Sequence, residues 1–287
     1  MNIRRFFTRK IMSLRTELPL WRFALLRPGG KMALFDRLPR MDGALPSERS
    51  DLVVFCGADK GYVKRFVLPF AVSLAAASRS AAFHLHMFGE PDEEARALAG
   101  RIGEILGATR FSMSHELCDL SGKTRRRQIM YFEVVRFARL LEIAERVKVP
   151  LLAMDIDVLF LKKVSDLQEL CAGADIAITL RPREYNPAKK VRAAVVYFAA
   201  TEKARAFLRR AVTRMLIGLF HGPEDEYPDQ RSLARTIDRA KDIRLTGLPE
   251  SALSSESEDA IIFSGRGEVK EKILPAVFAR RFASDID

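Results

Sequence analysis

Leu151-Leu-Ala-Met-Asp155-Ile-Asp157-Val-Leu-Phe-Leu161 sets two acids inside a run that is otherwise wholly apolar. An apolar run of this length reads as a buried strand of a mainly parallel sheet. Side chains alternate along a strand, so Asp155 and Asp157 are expected on one side of it. Two partly desolvated carboxylates side by side repel each other and call for a compensating cation. A divalent metal is the simplest one, and hard oxygen donors suit Mg2+ or Mn2+, which also bind phosphate oxygens. The plainer alternative is a strand end whose acids cap the next helix or pair with arginine. Ligands of α/β sheets bind at the carboxyl ends of strands, where this pair is expected to fall.

Outward from that run the pattern alternates. Residues 51–56, 83–88, 176–180, 193–198 and 260–263 read as further short apolar strands. Residues 62–78, 91–106, 128–147 and 202–220 read as helices, with Pro69 a kink or the true start of the first. Strand–helix alternation predicts an α/β fold with a mixed, mainly parallel sheet flanked by helices. The polar stretch 251–259 is expected to be a surface loop.

The 287-residue chain has a net charge of +11, unevenly placed. Residues 1–40 hold ten Lys/Arg and two acids, a balance of +8, leaving +3 for the rest. A near-neutral body argues against nucleic acid as the partner. Hydrophobic residues at 48% exclude wholesale disorder. Two units are expected: a basic amphipathic segment over 1–40 and one α/β domain over 41–287. The segment mixes Arg and Lys with Phe6, Phe7 and Trp21, then breaks at Pro28-Gly29-Gly30. It reads as a helix packed on the body, as a patch on an anionic membrane surface, or as a transit peptide. The widely spaced Cys56, Cys118 and Cys171 fit a reducing compartment and no disulfide framework. No run is apolar enough to span a bilayer.

Five stretches, in order, resemble the GT-A-fold glycosyltransferases, especially glycosyltransferase family eight. They are Val53-Val-Phe-Cys-Gly-Ala-Asp59-Lys-Gly-Tyr62, Phe137-Ala-Arg139-Leu-Leu, Asp155-Ile-Asp157-Val-Leu, Asp229-Gln230 and Ser264-Gly-Arg-Gly267-Glu-Val-Lys270. The resemblance covers roughly residues 50–272. It implies a GT-A-type Rossmann-like fold with a DxD motif and a retaining transfer of a hexose from a UDP-sugar to an acceptor hydroxyl. It further implies donor contacts from Asp59, Tyr62, Arg139, Gly267 and Lys270. Asp155 and Asp157 would hold Mn2+ or Mg2+, and Asp229 and Gln230 would act at the transferred sugar. The basic N-terminus suggests a lipid-linked or cell-surface saccharide as acceptor and a cytoplasmic protein lying on the inner face of a membrane. The chain departs from the family pattern at several places. The family's histidine metal ligand falls on Ser264, its Asn-Ala-Gly on Arg192-Ala193-Ala194, a later Asn on Ala234, and its final Pro-Trp on Glu271-Lys272.

Other residues have simpler readings beside these. Arg139 could instead pair with Glu142 or Glu145 along its helix, and Asp229 could be a helix N-cap. His84-x-His86 has metal-ligand spacing on a strand but more often marks packing. Lys123-Thr-Arg-Arg-Arg127 is a solvated basic face or a contact for an anionic acceptor. Two other functions fit less well: a phosphatase of the haloacid dehalogenase type, and a non-catalytic nucleotide-sugar-binding protein on a membrane surface.

Overall fold

The computed structural model describes residues 34–282 apart from 226, 256, 258, 266 and 267. Most of the basic N-terminal segment therefore lies outside the described residues. Its last part packs on the body: Leu34 and Leu38 are buried in the core.

A mixed eight-stranded sheet forms the centre. In chain order its strands are β1 (Met41–Gly43), β2 (Val53–Asp59), β3 (Ala82–Phe88), β4 (Phe111–Glu116), β5 (Leu151–Met154), β7 (Ile176–Leu180), β8 (Val191–Phe198) and β9 (Leu245–Leu248). They are arranged β1-β4-β3-β2-β5-β8-β7-β9. β4, β3, β2 and β5 run parallel, while β8 is antiparallel to both of its neighbours. A second sheet has three short strands: β6 (Leu159–Phe160), β10 (Leu253–Ser254) and β11 (Ile262–Phe263), ordered β10-β11-β6.

Helices cover both faces of the large sheet. They are α1 (Lys60–Ala77), α2 (Glu93–Leu106), α3 (Arg125–Arg146), α4 (Val164–Leu170), α5 (Glu202–His221), α6 (Pro228–Ile237) and α7 (Glu268–Phe282). Phe66, Phe70 and Leu74, at i, i+4 and i+8 of α1, enter one core with Phe83 and Phe160. Phe55 and Phe137 enter the other with Phe207 of α5. Successive strand residues thus feed opposite cores, as the strand period requires.

The structure corrects four expectations. The run 151–161 is not one strand. β5 ends at Met154, and the chain leaves the large sheet to re-pair as β6 with β11, through Phe160 opposite Ile262. Asp155 and Asp157 therefore sit in a break between two sheets rather than along one strand. Residues 251–259 are not simply surface loop, because Ala252 and Leu253 are buried and β10 pairs with β11. Pro69 lies inside α1, which begins at Lys60 with Asp59 as its cap. α3 begins at Arg125, a turn earlier than the expected 128, with the Thr124 side chain accepting from the Arg127 N–H.

Candidate functional site

The carboxyl ends of β2 and β5 lie side by side, with Val53–Cys56 paired to Leu151–Met154. β8 runs the other way, so its start meets the end of β5, and the Asp155 N–H bonds the Ala194 carbonyl at 2.9 Å. The small sheet sets Ser264, just after β11, against the same place. A cleft of about 670 Å³ opens there, and its lining includes Asp59, Tyr62, Asp155, Asp157, Asp229 and Gln230. Ser264 and Arg192 line it too. Asp59, Tyr62, Asp155, Asp157, Asp229 and Gln230 were singled out as site positions from the sequence and come from three separate stretches; Ser264 and Arg192 were named there only as departures from the family pattern.

Local structure fixes each one. The Asp59 carboxylate caps α1 by accepting from the Tyr62 N–H at 3.0 Å. Tyr62, on the first turn, keeps its ring partly exposed and tilted against Phe66. Asp229 is buried at the second position of α6, where its carboxylate accepts from the Gln230 N–H at 2.7 Å. The helix cap itself is Tyr227, which has φ +58, the only described non-glycine residue with positive φ. A tyrosine in the left-handed region is strained, and such residues collect at functional sites.

The residue that joins these parts is Arg136, which the sequence did not single out. It sits on α3 and is nearly buried. Its guanidinium pairs with Asp155 on one side and with Asp229 Oδ2 at 2.8 Å on the other, and reaches the Ala193 carbonyl at 3.3 Å. Burial pulls its pKa down, but the two carboxylates outweigh this and hold it above the usual arginine value. Burial pushes Asp229 up, against the opposing pull of Arg136. Gly57 makes room for this helix: a Cβ there would stand 2.8 Å from the Arg136 Cβ. The same helix lines the cleft with Arg125, Gln128, Phe132 and Glu133. Burial and the nearby Asp229 charge push the Glu133 carboxyl up to about 7, although Arg126 pairs with it at 3.1 Å.

Arg139, one turn further along α3, is not in the cleft. It is buried in a separate network, bonding Glu116 at 2.6 Å, Glu142 at 2.5 Å and the Pro39 carbonyl at 2.5 Å. A helix turns about 100° per residue, so a three-residue step at a crowded interface separates a cleft position from a core one. His84 and His86 belong to the packing around that network. His84 bonds Ser112 and Ser114 at 2.8 and 2.9 Å, and burial lowers its pKa to about 3. Arg126 and Arg127 of the basic run clamp the last turn of α5 and the stretch after it, bonding backbone carbonyls of Asp225 and of Leu219 and Gly222. Gly267 lies outside the described residues, and Lys270 is a residue of α7.

Asp155 and Asp157 offer the hard oxygens that Mg2+ or Mn2+ takes. The rest of the donor set does not fit a resident ion. Arg136 already holds one Asp155 oxygen. No third His, Cys, Asp or Glu gathers with the pair among the described residues. The Ser264 hydroxyl, where the resemblance places the third ligand, accepts from Arg192 at 2.8 Å.

Fold and cleft together define an α/β protein with an acidic and cationic site at the carboxyl ends of its central strands. No family model and no curated protein sequence matches the chain. Among solved structures it is similar to the glycosyltransferase GlyE of Streptococcus pneumoniae TIGR4, at 17% identity over 83% of this chain and 52% of that one, TM-score 0.47. It is also similar to the bifunctional glycosyltransferase WbbM, at 13% identity over 82% of this chain and 44% of that one, TM-score 0.49. A third is the galactosyltransferase LgtC in complex with donor and acceptor sugar analogs, at 17% identity over 62% and 68%, TM-score 0.47. The chain spans about half the length of the first two. These structural neighbours are glycosyltransferases.

Proposed function

We propose that the chain is a glycosyltransferase that moves a hexose from a nucleoside diphosphate sugar, a UDP-sugar in the first instance, to an acceptor hydroxyl. The observation that carries this reading is the meeting of Asp59, Tyr62, Asp155, Asp157, Asp229 and Gln230 in one cleft of about 670 Å³. That volume suits a ligand of nucleotide-sugar size.

In the reaction the bond from the anomeric carbon to the β-phosphate oxygen breaks, and the diphosphate leaves with the electron pair. A bond forms from the acceptor oxygen to the anomeric carbon, and the acceptor proton passes to the departing phosphate. Positive charge develops on the sugar and negative charge on the diphosphate. Buried and oriented carboxylates favour the first, and fixed cations favour the second. Tyr62, exposed at the cleft mouth, would stack on the base, and Asp59 would meet the ribose. Asp229, fixed by Arg136, and Gln230 would hold the sugar hydroxyls. The divalent ion expected from the sequence has only two carboxylate donors here, one of them shared with Arg136, so no step is assigned to it.

Retention of configuration remains part of the proposal on the strength of the resemblance. A saccharide acceptor, lipid-linked or on the cell surface, and docking of residues 1–40 on an anionic membrane are supported by the basic, aromatic N-terminus. No described helix is long and apolar enough to cross a membrane. A donor panel tests the central reading: a nucleotide sugar should release its nucleoside diphosphate, and Asp229→Asn should lose about a hundredfold of that turnover with the fold intact. Turnover of p-nitrophenyl phosphate but of no nucleotide sugar would instead support the phosphatase.

A further inference from the structure

Glu133 lines the cleft but belongs to none of the stretches that resemble the glycosyltransferases. It stands one turn before Arg136 on α3 and is part-buried. Arg126 donates to its Oε2 at 3.1 Å, and the same guanidinium donates through Nε to the Asp225 carbonyl at 2.7 Å. No other hydrogen bond reaches the Glu133 carboxyl among the described residues.

The charged groups around it come from three elements. Arg126 and Arg136 stand on its own helix, Asp229 on α6 and Asp155 just past the end of β5. Asp225, ahead of α6, pairs with Arg231 at 2.8 Å, and Arg125 lies two turns away at the exposed start of α3. Three carboxylates, Glu133, Asp229 and Asp155, therefore share two guanidinium groups in one wall of the cleft. Excess negative charge with little water favours a proton on one of the three. Hydrogen bonds decide which. Asp229 accepts from Arg136 at 2.8 Å and from the Gln230 N–H at 2.7 Å, and Asp155 pairs with Arg136 and is more open to water. Glu133 has the single bond from Arg126. Burial pushes Asp229 up as well, but its two donors pull it back, whereas Glu133 rises to about 7.

A sugar hydroxyl both donates and accepts. An ionised Asp229 can only accept, so a hydroxyl that gives its proton to Asp229 still needs a donor for its own oxygen. A protonated Glu133 supplies that donor, while its other oxygen keeps the bond from Arg126. An ionised Glu133 would add a second acceptor and no donor.

We infer that Glu133 works in the cleft as a neutral carboxylic acid that donates a hydrogen bond to a sugar hydroxyl, which in turn donates to Asp229. The sugar rests on the transfer reading above, and the proton on Glu133 does not.

Carbon-13 NMR of the full chain, labelled at its glutamate side-chain carboxyls, reads the proton directly, with Glu133→Gln to assign the resonance. That resonance should titrate near pH 7. A midpoint in the ordinary glutamate range, about 4.3, would overturn the inference. With a nucleotide sugar that turns over, the wild-type KM should rise about tenfold from pH 6 to pH 8 as the acid ionises, while kcat changes much less. Glu133→Gln keeps a donor at every pH and should hold KM near the wild-type value at pH 6. Glu133→Ala has none and should hold KM up to about tenfold higher throughout. A wild-type KM that is flat over this range, which needs no folded variant to establish, or a Glu133→Gln profile parallel to it, would overturn the inference. A Glu133 resonance titrating near pH 7 in a protein that turns over no nucleotide sugar upholds the neutral acid and contradicts the transfer reading. Turnover with a flat KM and an ordinary glutamate midpoint does the opposite.

Discussion

Arg136 is the residue on which the cleft depends. It holds two carboxylates together, the buried Asp229 and the partly exposed Asp155, which would otherwise repel each other across the cleft wall. Removing one partner of a buried ionic cluster leaves the others uncompensated, at a cost of about 3 to 5 kcal/mol. Arg136→Leu should therefore lower the unfolding free energy measured in urea by that much and abolish nucleotide-sugar turnover, and a stable, active variant would contradict the role. Glu133 predicts a pH effect. Its folded pKa of about 7 lies above the ordinary glutamate value, so the protonated form is favoured on folding. The stabilisation is complete below the unfolded pKa and is lost as pH rises through the folded one. Glu133→Gln removes that loss. Its melting temperature should gain on wild type by roughly 3 °C between pH 5 and pH 8, and parallel curves would show that Glu133 does not titrate there. Tyr227 combines a strained φ of +58 with a place on the cleft wall. Tyr227→Gly should stabilise the fold by about 1 kcal/mol while weakening substrate binding, measured as Tm against KM.

At the scale of elements, α3 does two things at once. Met130, Val134, Phe137 and Leu141 bury one face, and Gln128, Phe132, Glu133 and Arg136 turn another to the cleft. Its close approach to β2 depends on Gly57. Gly57→Ala must push the Arg136 Cβ away from 2.8 Å, so it should cost about 1 to 3 kcal/mol and reduce turnover as well. An alanine variant with wild-type stability and rate would show that the helix has slack. The network of Arg139, Glu116 and His86 is a contrast, because it lies away from the cleft. Burial pushes Glu116 up, but His86 and Arg139 outweigh it and hold the carboxyl below its ordinary value. Arg139→Leu should unfold the protein about as readily as Arg136→Leu. Any folded fraction should keep its turnover number.

Strand–helix alternation was legible because hydrophobic period reports local structure. The break at Asp155 was not. The apolar residues on either side of it, Met154 and Val158, both enter buried cores, so the run reads as one strand even though it changes sheets. The choice between Arg136 and Arg139 was also hidden, since one helical turn decides which of them meets the cleft and only packing against Gly57 settles it. The two acids stood out in the apolar run, but their role did not: Asp155 pairs with Arg136, which is the plainer alternative the run also allowed.

For the whole molecule, the sheet order brings four distant stretches to one edge. β2 and β5 end there, β8 begins there, and the small sheet closes the side with Ser264. The charge is divided in the same spirit. The cleft of the described body has arginines of its own, Arg125, Arg136 and Arg192, and most of the excess positive charge belongs to residues 1–40. Full-length protein should therefore co-sediment with anionic vesicles at low salt and release them near 1 M salt, where the screening length is about 3 Å. Binding that survives high salt would point to apolar insertion instead.

The central claim, glycosyl transfer in the cleft of Asp155, Asp157 and Asp229, meets its most direct test in nucleoside diphosphate release. Wild type and Asp155→Asn would be measured against a panel of nucleotide sugars with a mixed saccharide acceptor. At least one donor should release its diphosphate in the wild type, and the variant, still folded by its melting curve, should release it at least about a hundredfold more slowly. A folded wild type that releases diphosphate from no donor, or an Asp155→Asn variant as fast as wild type, would contradict it.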